Sequence, residues 1–415
     1  MKSQPTPLIP VADALARVLD GVTPSDPESV RLGDALGRTL AAPLKAKLTH
    51  PPFDASSMDG YAVRAADITS PPTTLALLGV SAAGRPFAGK LDAGHAIRIF
   101  TGGPVPDGAD AVVIQEDTRA DGTENGGTAI TILAPANRGD NIRCRGQDFA
   151  EGQTVLRRGR RLGPREILMC ATSGHANIPV IRKPTVAILA TGDELVEPGT
   201  ALAPGQITSS NSYGLAALIT AAGGHAQILG IARDTHASLA EKFAACANAD
   251  ILVTTGGASV GDHDLVRPAL EAAGAKLDFY KIAMRPGKPT VFGTRPRSNQ
   301  KTPQRILGLP GNPLSAMIGA RVFLIPLITT LLGRPEALRT VPATLAAPLP
   351  ANGPRDHYMR ATLDTSTTPP RATPLPNQDS SLVSGLTQAD CLLVVPANAP
   401  AQAPGSTVAI LPLDF

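Results

Sequence analysis

The sequence predicts a multidomain α/β plus β protein, and three observations carry that reading. Between residues 185 and 332, apolar strands alternate with helical segments in the way a doubly wound parallel sheet requires. Residues 51–139 and the stretch after Gly333 are instead rich in Val, Ile, Thr, Gly and Pro, with short alternating runs. At 415 residues, the chain exceeds what a single core ordinarily supports.

The central α/β domain spans 184–332. Thr185 to Ala190 reads as a buried strand ending at Thr191-Gly192-Asp193-Glu194, and Ser212 to Ala222 as a helix stopped by Gly223-Gly224. A strand at Ala226 to Ala232 and a helix at His236 to Ala247 repeat the order. Ile251 to Thr255 is then a strand running into Gly256-Gly257-Ala258-Ser259-Val260-Gly261-Asp262-His263-Asp264. A helix from Asp264 to Ala273 and strands at Lys276 to Ala283, Thr290 to Gly293 and Ile306 to Leu309 follow. The last strand meets Gly311-Asn312-Pro313, where Asn312 caps a helix that begins at Pro313 and runs to Leu332.

Residues 51–139 form a small mostly-β domain, with strands at His95 to Phe100 and Ala111 to Gln115. The segments 1–50 and 140–183 carry helical signals at Val11 to Leu19 and Pro164 to Ser173 and join into one discontinuous, elongated N-terminal domain. Proline-punctuated strands near Tyr358 to Leu363, Cys391 to Val395 and Thr407 to Ile410 make 333–415 a C-terminal β-barrel or sandwich.

Composition narrows the function. A formal charge of +3 provides no broad field for nucleic acid or a membrane surface, and Arg157, Arg158, Arg160 and Arg161 read as a solvated face. With 40 Gly and 40 Pro the chain lies below the roughly 25–30% that marks low complexity. Cys144, Cys170, Cys246 and Cys391 are scattered, without metal-site spacing, as in a reduced cytoplasmic protein. Neither a signal peptide nor 18 consecutive apolar residues is present, so a membrane span is not expected.

The chemistry gathers at strand ends, where open α/β sheets receive ligands. Gly256, Gly257 and Gly261 let backbone N–H groups approach an anion, and Ser259 adds a hydroxyl. Asp193, Glu194, Asp234, Asp262 and Asp264 would repel one another unless a hard cation offsets them, which suits Mg2+ beside a phosphate. Read singly, Asp193 or Asp262 is equally well a helix cap. Arg285 and Lys288 flank a Pro-Gly pair that stiffens the loop and aims both cations at an anion. His263 reads as solvent-facing.

Eight stretches taken in order then carry a resemblance: 57–62, 101–112, 141–148, 191–195, 210–211, 255–264, 286–289 and 308–315. The chain resembles the molybdopterin molybdenumtransferases, the MoeA family of molybdenum insertases, and is similar to the C-terminal insertase part of gephyrin. That resemblance implies a molybdopterin-binding central domain, an N-terminal domain that links and dimerises, and an enzyme that takes adenylylated molybdopterin and molybdate. AMP would be released in a Mg2+-dependent step.

Carried over position by position, the resemblance assigns Asp59, Thr101, Asp148, Glu194, Asp234 and Asp264 to catalysis and Asp193, Glu194 and Asp264 to metal. Gly256, Gly257, Ser259, Gly261, Arg285, Lys288, Pro310, Asn312, Pro313 and Ser315 would bind substrate. It also implies a homodimer with shared clefts and leaves room for contact with a molybdopterin adenylyltransferase. Arg285 stands where many relatives have Lys, and Asp379-Ser380 where they have Gly-Ser; Arg360 and Ser380 are weaker candidates. Two other readings fit part of the pattern, an adenylyltransferase acting on molybdopterin and a non-catalytic pterin-binding scaffold.

Overall fold

The computed structural model describes residues 8–122, 128–256, 265–298, 300, 302–335 and 338–413. The chain divides into two compact units, Met1–Glu28 with Ile181–Phe415, and Ser29–Val180.

The first unit is built on a six-stranded sheet ordered His225–Ala232, Thr185–Thr191, Ile251–Thr255, Gln304–Leu309, Val291–Arg295, Lys276–Phe279. The first four strands are parallel. Val186, Ile188, Leu252 and Ile306 are fully buried, as expected for strands covered on both faces. The last two strands pair antiparallel, an edge that the alternation of strands and helices in the sequence does not specify. The link from Arg295 to Gln304 is shorter than the dozen or more residues a parallel crossover needs, so the two strands it joins run antiparallel.

Local chemistry sets the helix ends. Helix Asn211–Ala222 stops at Gly223, whose φ is +95°. Helix His236–Ala245 starts where Thr235 Oγ1 accepts the Ser238 N–H at 3.2 Å. Helix Pro313–Gly319 is capped by Asn312, whose Oδ1 accepts from Ser315 N at 3.4 Å. It passes through a π turn, Ala320–Leu324, immediately before Pro326, which has no N–H to donate, and continues as Ile325–Leu331. The whole stretch Pro313–Leu331 is apolar enough to cross a membrane, but 72% of its apolar window is buried, so core packing accounts for its composition.

A second sheet closes on itself. Asp356–Asp364 pairs with both Arg371–Pro374 and Cys391–Val395, and Val341–Leu345 and Thr407–Pro412 complete the circuit, giving a barrel around Leu345, Ala361, Leu393 and Ile410. Met284–Arg285 adds to it, parallel to Asp356 and His357. The Pro-Gly-Lys loop is thereby anchored to the barrel. Helix Val11–Leu19 also packs in this unit, where the Val18 carbonyl accepts from Arg305 Nη1 at 3.2 Å.

The second unit holds a curled six-stranded sheet ordered Ala111–Ile114, Gly60–Val63, His95–Ile99, Thr73–Ser81, Thr128–Ile132, Thr118–Gly122. Beside it, Leu40, Leu162, Cys170, Ile178 and Val180 form a small core against helix Pro164–Thr172. Arg160, read from sequence as solvated, pairs with Glu166 at 2.5 Å, and the same carboxylate accepts from Gly163 N.

Candidate functional site

In the order of the parallel strands, the first strand of the domain, Thr185–Thr191, lies between the second and the third. Crossovers leave it toward opposite sides, and a crevice opens at the carboxyl ends there. A cavity of about 330 Å³ occupies this place, lined by Thr191, Glu194, Asn211, Gly256, Asn312 and Pro313 among others. Gly256 has φ +90°, and a Cβ on it would sit 2.5 Å from the Thr191 carbonyl oxygen. Only glycine lets the two strand ends come this close. Gly256→Ala is expected to cost about 1–3 kcal/mol of stability, checked by the urea midpoint. An unchanged midpoint would remove the steric argument.

Asn211 begins its helix over this cavity. Its Nδ2 donates to Gly311 O at 2.8 Å, while Oδ1 is buried without a partner among the described residues. A buried acceptor left open on a cavity wall suits a ligand donor. Sequence reading noted Asn211 only as part of a motif, and an Asn at a helix start following Ser210 was the available signal.

The acidic turn adjoins this wall. Asp193 Oδ1 accepts from Asp234 N at 3.3 Å, and Arg233 Nη1 donates to the Asp193 carbonyl at 3.1 Å. The Asp234 carboxyl is pushed above its ordinary value by desolvation first, then by the negative charges of Asp193 and Glu194. Among the described residues no three His, Cys, Asp or Glu side chains already sit as a metal cage. The donors present are all oxygen, and the charges of Asp193 and Glu194 act on Asp234, a set that fits a hard divalent cation. Gly257, Ser259, Gly261 and Asp264, expected to complete this wall, lie outside the described residues, as do Asp262 and His263.

A second cavity, about 450 Å³, opens between the Pro-Gly-Lys loop and the barrel. Arg285, Lys288, Arg355, His357 and Arg360 line it, with Ser315 and Ser380. The loop is held by Thr290 Oγ1 donating to Gly287 O at 2.8 Å and by Ile282 N donating to Lys288 O at 3.0 Å. Arg360 is 1% exposed, and its Nη1 and Nη2 donate to the carbonyls of Leu382, Asn377 and Asp379 at 2.9–3.0 Å. Its Nε is buried with no partner among the described residues. The Asp379 carboxylate offsets part of this charge, and the buried Nε still leaves a donor for an anion in the adjoining space. The Asp379 carboxylate accepts from Ser381 N at 2.8 Å, which lowers its pKa.

His357 was not singled out from sequence, where an isolated Arg-Asp-His run looks like surface. Burial, then the charges of Arg285 and Arg355, hold its pKa at about 4. Unfolded, a histidine titrates near 6.5, so between these values the unfolded chain binds more protons. Stability is therefore complete above pH 6.5 and falls as pH drops toward 4, by roughly 3 kcal/mol from this group. His357→Gln is expected to flatten that slope in urea titrations at pH 7 and 4.5. The same slope in the variant would assign the acid sensitivity elsewhere.

The substrate-binding candidates thus divide. Gly256, Asn312 and Pro313 line the first cavity with Glu194; Arg285, Lys288 and Ser315 line the second; and Pro310 is buried, on neither wall. The cavities adjoin through consecutive residues: Pro313 on one, Leu314 and Ser315 on the other; Ser381 on one, Asp379 and Ser380 on the other.

In the second unit, Asp59 and Thr101 come together. Thr101 N and Oγ1 donate to Asp59 Oδ1 at 2.7 and 2.9 Å, which holds the Asp59 carboxyl below its ordinary value. Arg98 lies over the rings of Tyr61 and Phe100, at 4.9 and 5.0 Å, and also lowers the Asp59 pKa. Asp148 is exposed, its backbone N–H donating to the His50 carbonyl at 3.1 Å.

Residues 9–174 match the MoeA N-terminal region (domain I and II), residues 187–330 a probable molybdopterin binding domain, and residues 342–413 the MoeA C-terminal region (domain IV). A molybdopterin molybdenumtransferase from Bacillus subtilis is 36% identical over 409 residues, covering 97% of this chain and 94% of its own length. The chain belongs to the molybdopterin molybdenumtransferase family. A second such transferase, from Nostoc, is 38% identical over 79% of this chain and 76% of its own length. The crystal structure of the molybdopterin biosynthesis MoeA protein from Pyrococcus horikosii superposes with a TM-score of 0.84 at 31% identity, covering 99% of this chain and 100% of that one. As a molybdopterin molybdenumtransferase family member, the protein is an enzyme of the transferase class.

Proposed function

We propose that the protein inserts molybdenum into molybdopterin. It takes adenylylated molybdopterin and molybdate and releases AMP in a Mg2+-dependent step. The observation that carries this reading is the pair of adjoining cavities, one glycine-walled at the switch point beside an acidic turn, the other cationic. A nucleotide phosphate suits the first, and molybdate, a tetrahedral oxyanion, suits the second.

Asp193, Glu194 and Asp234, with Asp264, would hold the magnesium, which when bound offsets phosphate charge. Gly256 admits the phosphate close to backbone, and the open Asn211 Oδ1 receives a donor from the nucleotide or pterin. Arg285 and Lys288 hold molybdate by charge-assisted hydrogen bonds, positioned by the anchored loop. With three of the four cysteines buried and all unpaired, a cytoplasmic setting is consistent.

AMP release from adenylylated molybdopterin, with and without added molybdate, tests the proposal. Release that depends on both molybdate and magnesium is expected. Accumulation of adenylylated pterin from ATP and metal-free molybdopterin would make the protein an adenylyltransferase instead, and tight pterin binding without turnover would make it a scaffold.

A further inference from the structure

A third cleft shares no lining residue with the two cavities. It lies between helices His236–Ala245 and Val266–Ala272, with a volume of about 410 Å³. Ala240, Ala244, Ala269 and Ala272 form its walls, so the helices leave open space that larger side chains would fill. Arg295 also lines it and is 6% exposed.

Among the described residues the charge of Arg295 has no counter-ion. Its Nη2 donates to the Phe243 carbonyl at 3.1 Å and lies 4.0 Å from Cys246 Sγ. Among the described residues no carboxylate pairs with it. Asp250, the buried acid just before strand Ile251–Thr255, is already shared by Arg182 at 2.9 Å and Arg297 at 2.8 Å. A guanidinium carries five N–H donors, and buried charges are ordinarily paired. A planar cation beside apolar walls selects an anion with an apolar body.

We propose that this cleft binds a short apolar carboxylate, its carboxylate on the Arg295 guanidinium and its hydrocarbon along the alanine walls. A competing role for Arg295 is confined to the fold: capping the last carbonyls of helix His236–Ala245, as basic groups do at helix C-termini. Capping alone would not distinguish one small solute from another.

Calorimetric titration of the intact protein with hexanoate and with hexan-1-ol separates the two roles. Saturable hexanoate binding is expected, with the alcohol at least about tenfold weaker, the equivalent of one charge-assisted hydrogen bond. Arg295→Gln should reduce hexanoate to the level of the alcohol. Ala244→Leu, at an exposed helical position, should fill the cleft and weaken both ligands while circular dichroism is unchanged. Equal affinity for acid and alcohol would reduce Arg295 to a cap and overturn the proposal. So would hexanoate binding that Ala244→Leu leaves intact, or no saturable binding by the wild-type chain. If Arg295→Gln fails to fold, the alcohol comparison and Ala244→Leu still decide.

Discussion

Removing both cations of the Pro-Gly loop, Arg285→Ala with Lys288→Ala, raises the molybdate concentration that half-saturates AMP release by about 10²–10³-fold. In the proposed reaction each side chain would contribute a charge-assisted hydrogen bond to molybdate, and a hydrogen bond to a charged group is worth about 1.5–3 kcal/mol. Two of them, counted at the low end because both ends are exposed, give about 3–4 kcal/mol. Nucleotide affinity should hold nearly constant, because the crevice at the carboxyl ends is lined by other residues. Molybdate dependence of AMP release and AMP titration, run on the same variant, check both halves. A matching loss in AMP affinity would mean that the two cavities are not separate anion sites, and an unchanged molybdate dependence would move the oxyanion elsewhere. Lys288→Arg and Arg285→Lys should recover most of the loss if charge alone matters, and little if the planar fork matters at 285.

What the sequence disclosed of this fold and site was local in origin. The strand Ile251–Thr255 and the helix begun by Asn312 and Pro313 could be read because an apolar run, a glycine turn and a cap each act within a few residues. Pairing between distant segments could not be read that way. Nothing in Met284-Arg285 announces that it will lie parallel to Asp356-His357, so the basic wall joining the two was missed, and His357 and Arg355 with it. The antiparallel edge of the central sheet was missed for a similar reason: apolar periodicity marks a strand but carries no direction, which only the loop from Arg295 to Gln304 decides. Asp59 and Thr101 were named through resemblance, whereas their hydrogen bonds arise from strand neighbours that bring Gly60 opposite Ile99.

Asp59→Asn and the double variant Arg285→Ala with Lys288→Ala, assayed at a molybdate concentration that nearly saturates the wild type and leaves each pure variant almost without turnover, should regain about a quarter of wild-type activity when the two are co-refolded in equal amounts. If Asp59 and Thr101 act on a cleft whose loop and glycine turn come from a second copy, a mixed dimer holds one intact cleft and one doubly damaged cleft. Random mixing makes about half the dimers mixed, and half of their clefts work. The Asp59 carboxylate is held ionised by two hydrogen bonds from Thr101, so the amide variant removes a charge while keeping size and leaving one acceptor for the Thr101 donors. Loss of activity in Asp59→Asn therefore reports on chemistry and not on folding, provided its unfolding midpoint matches the wild type. Activity of the mixture that stays at the level of the separate variants would place Asp59 and Lys288 on the same cleft from one chain, or Asp59 outside the mechanism. Thr101→Val distinguishes these outcomes: it removes the hydroxyl donor at 2.9 Å and keeps the backbone donor at 2.7 Å, so a partial loss that follows Asp59→Asn in the same mixing experiment ties the pair to one cleft.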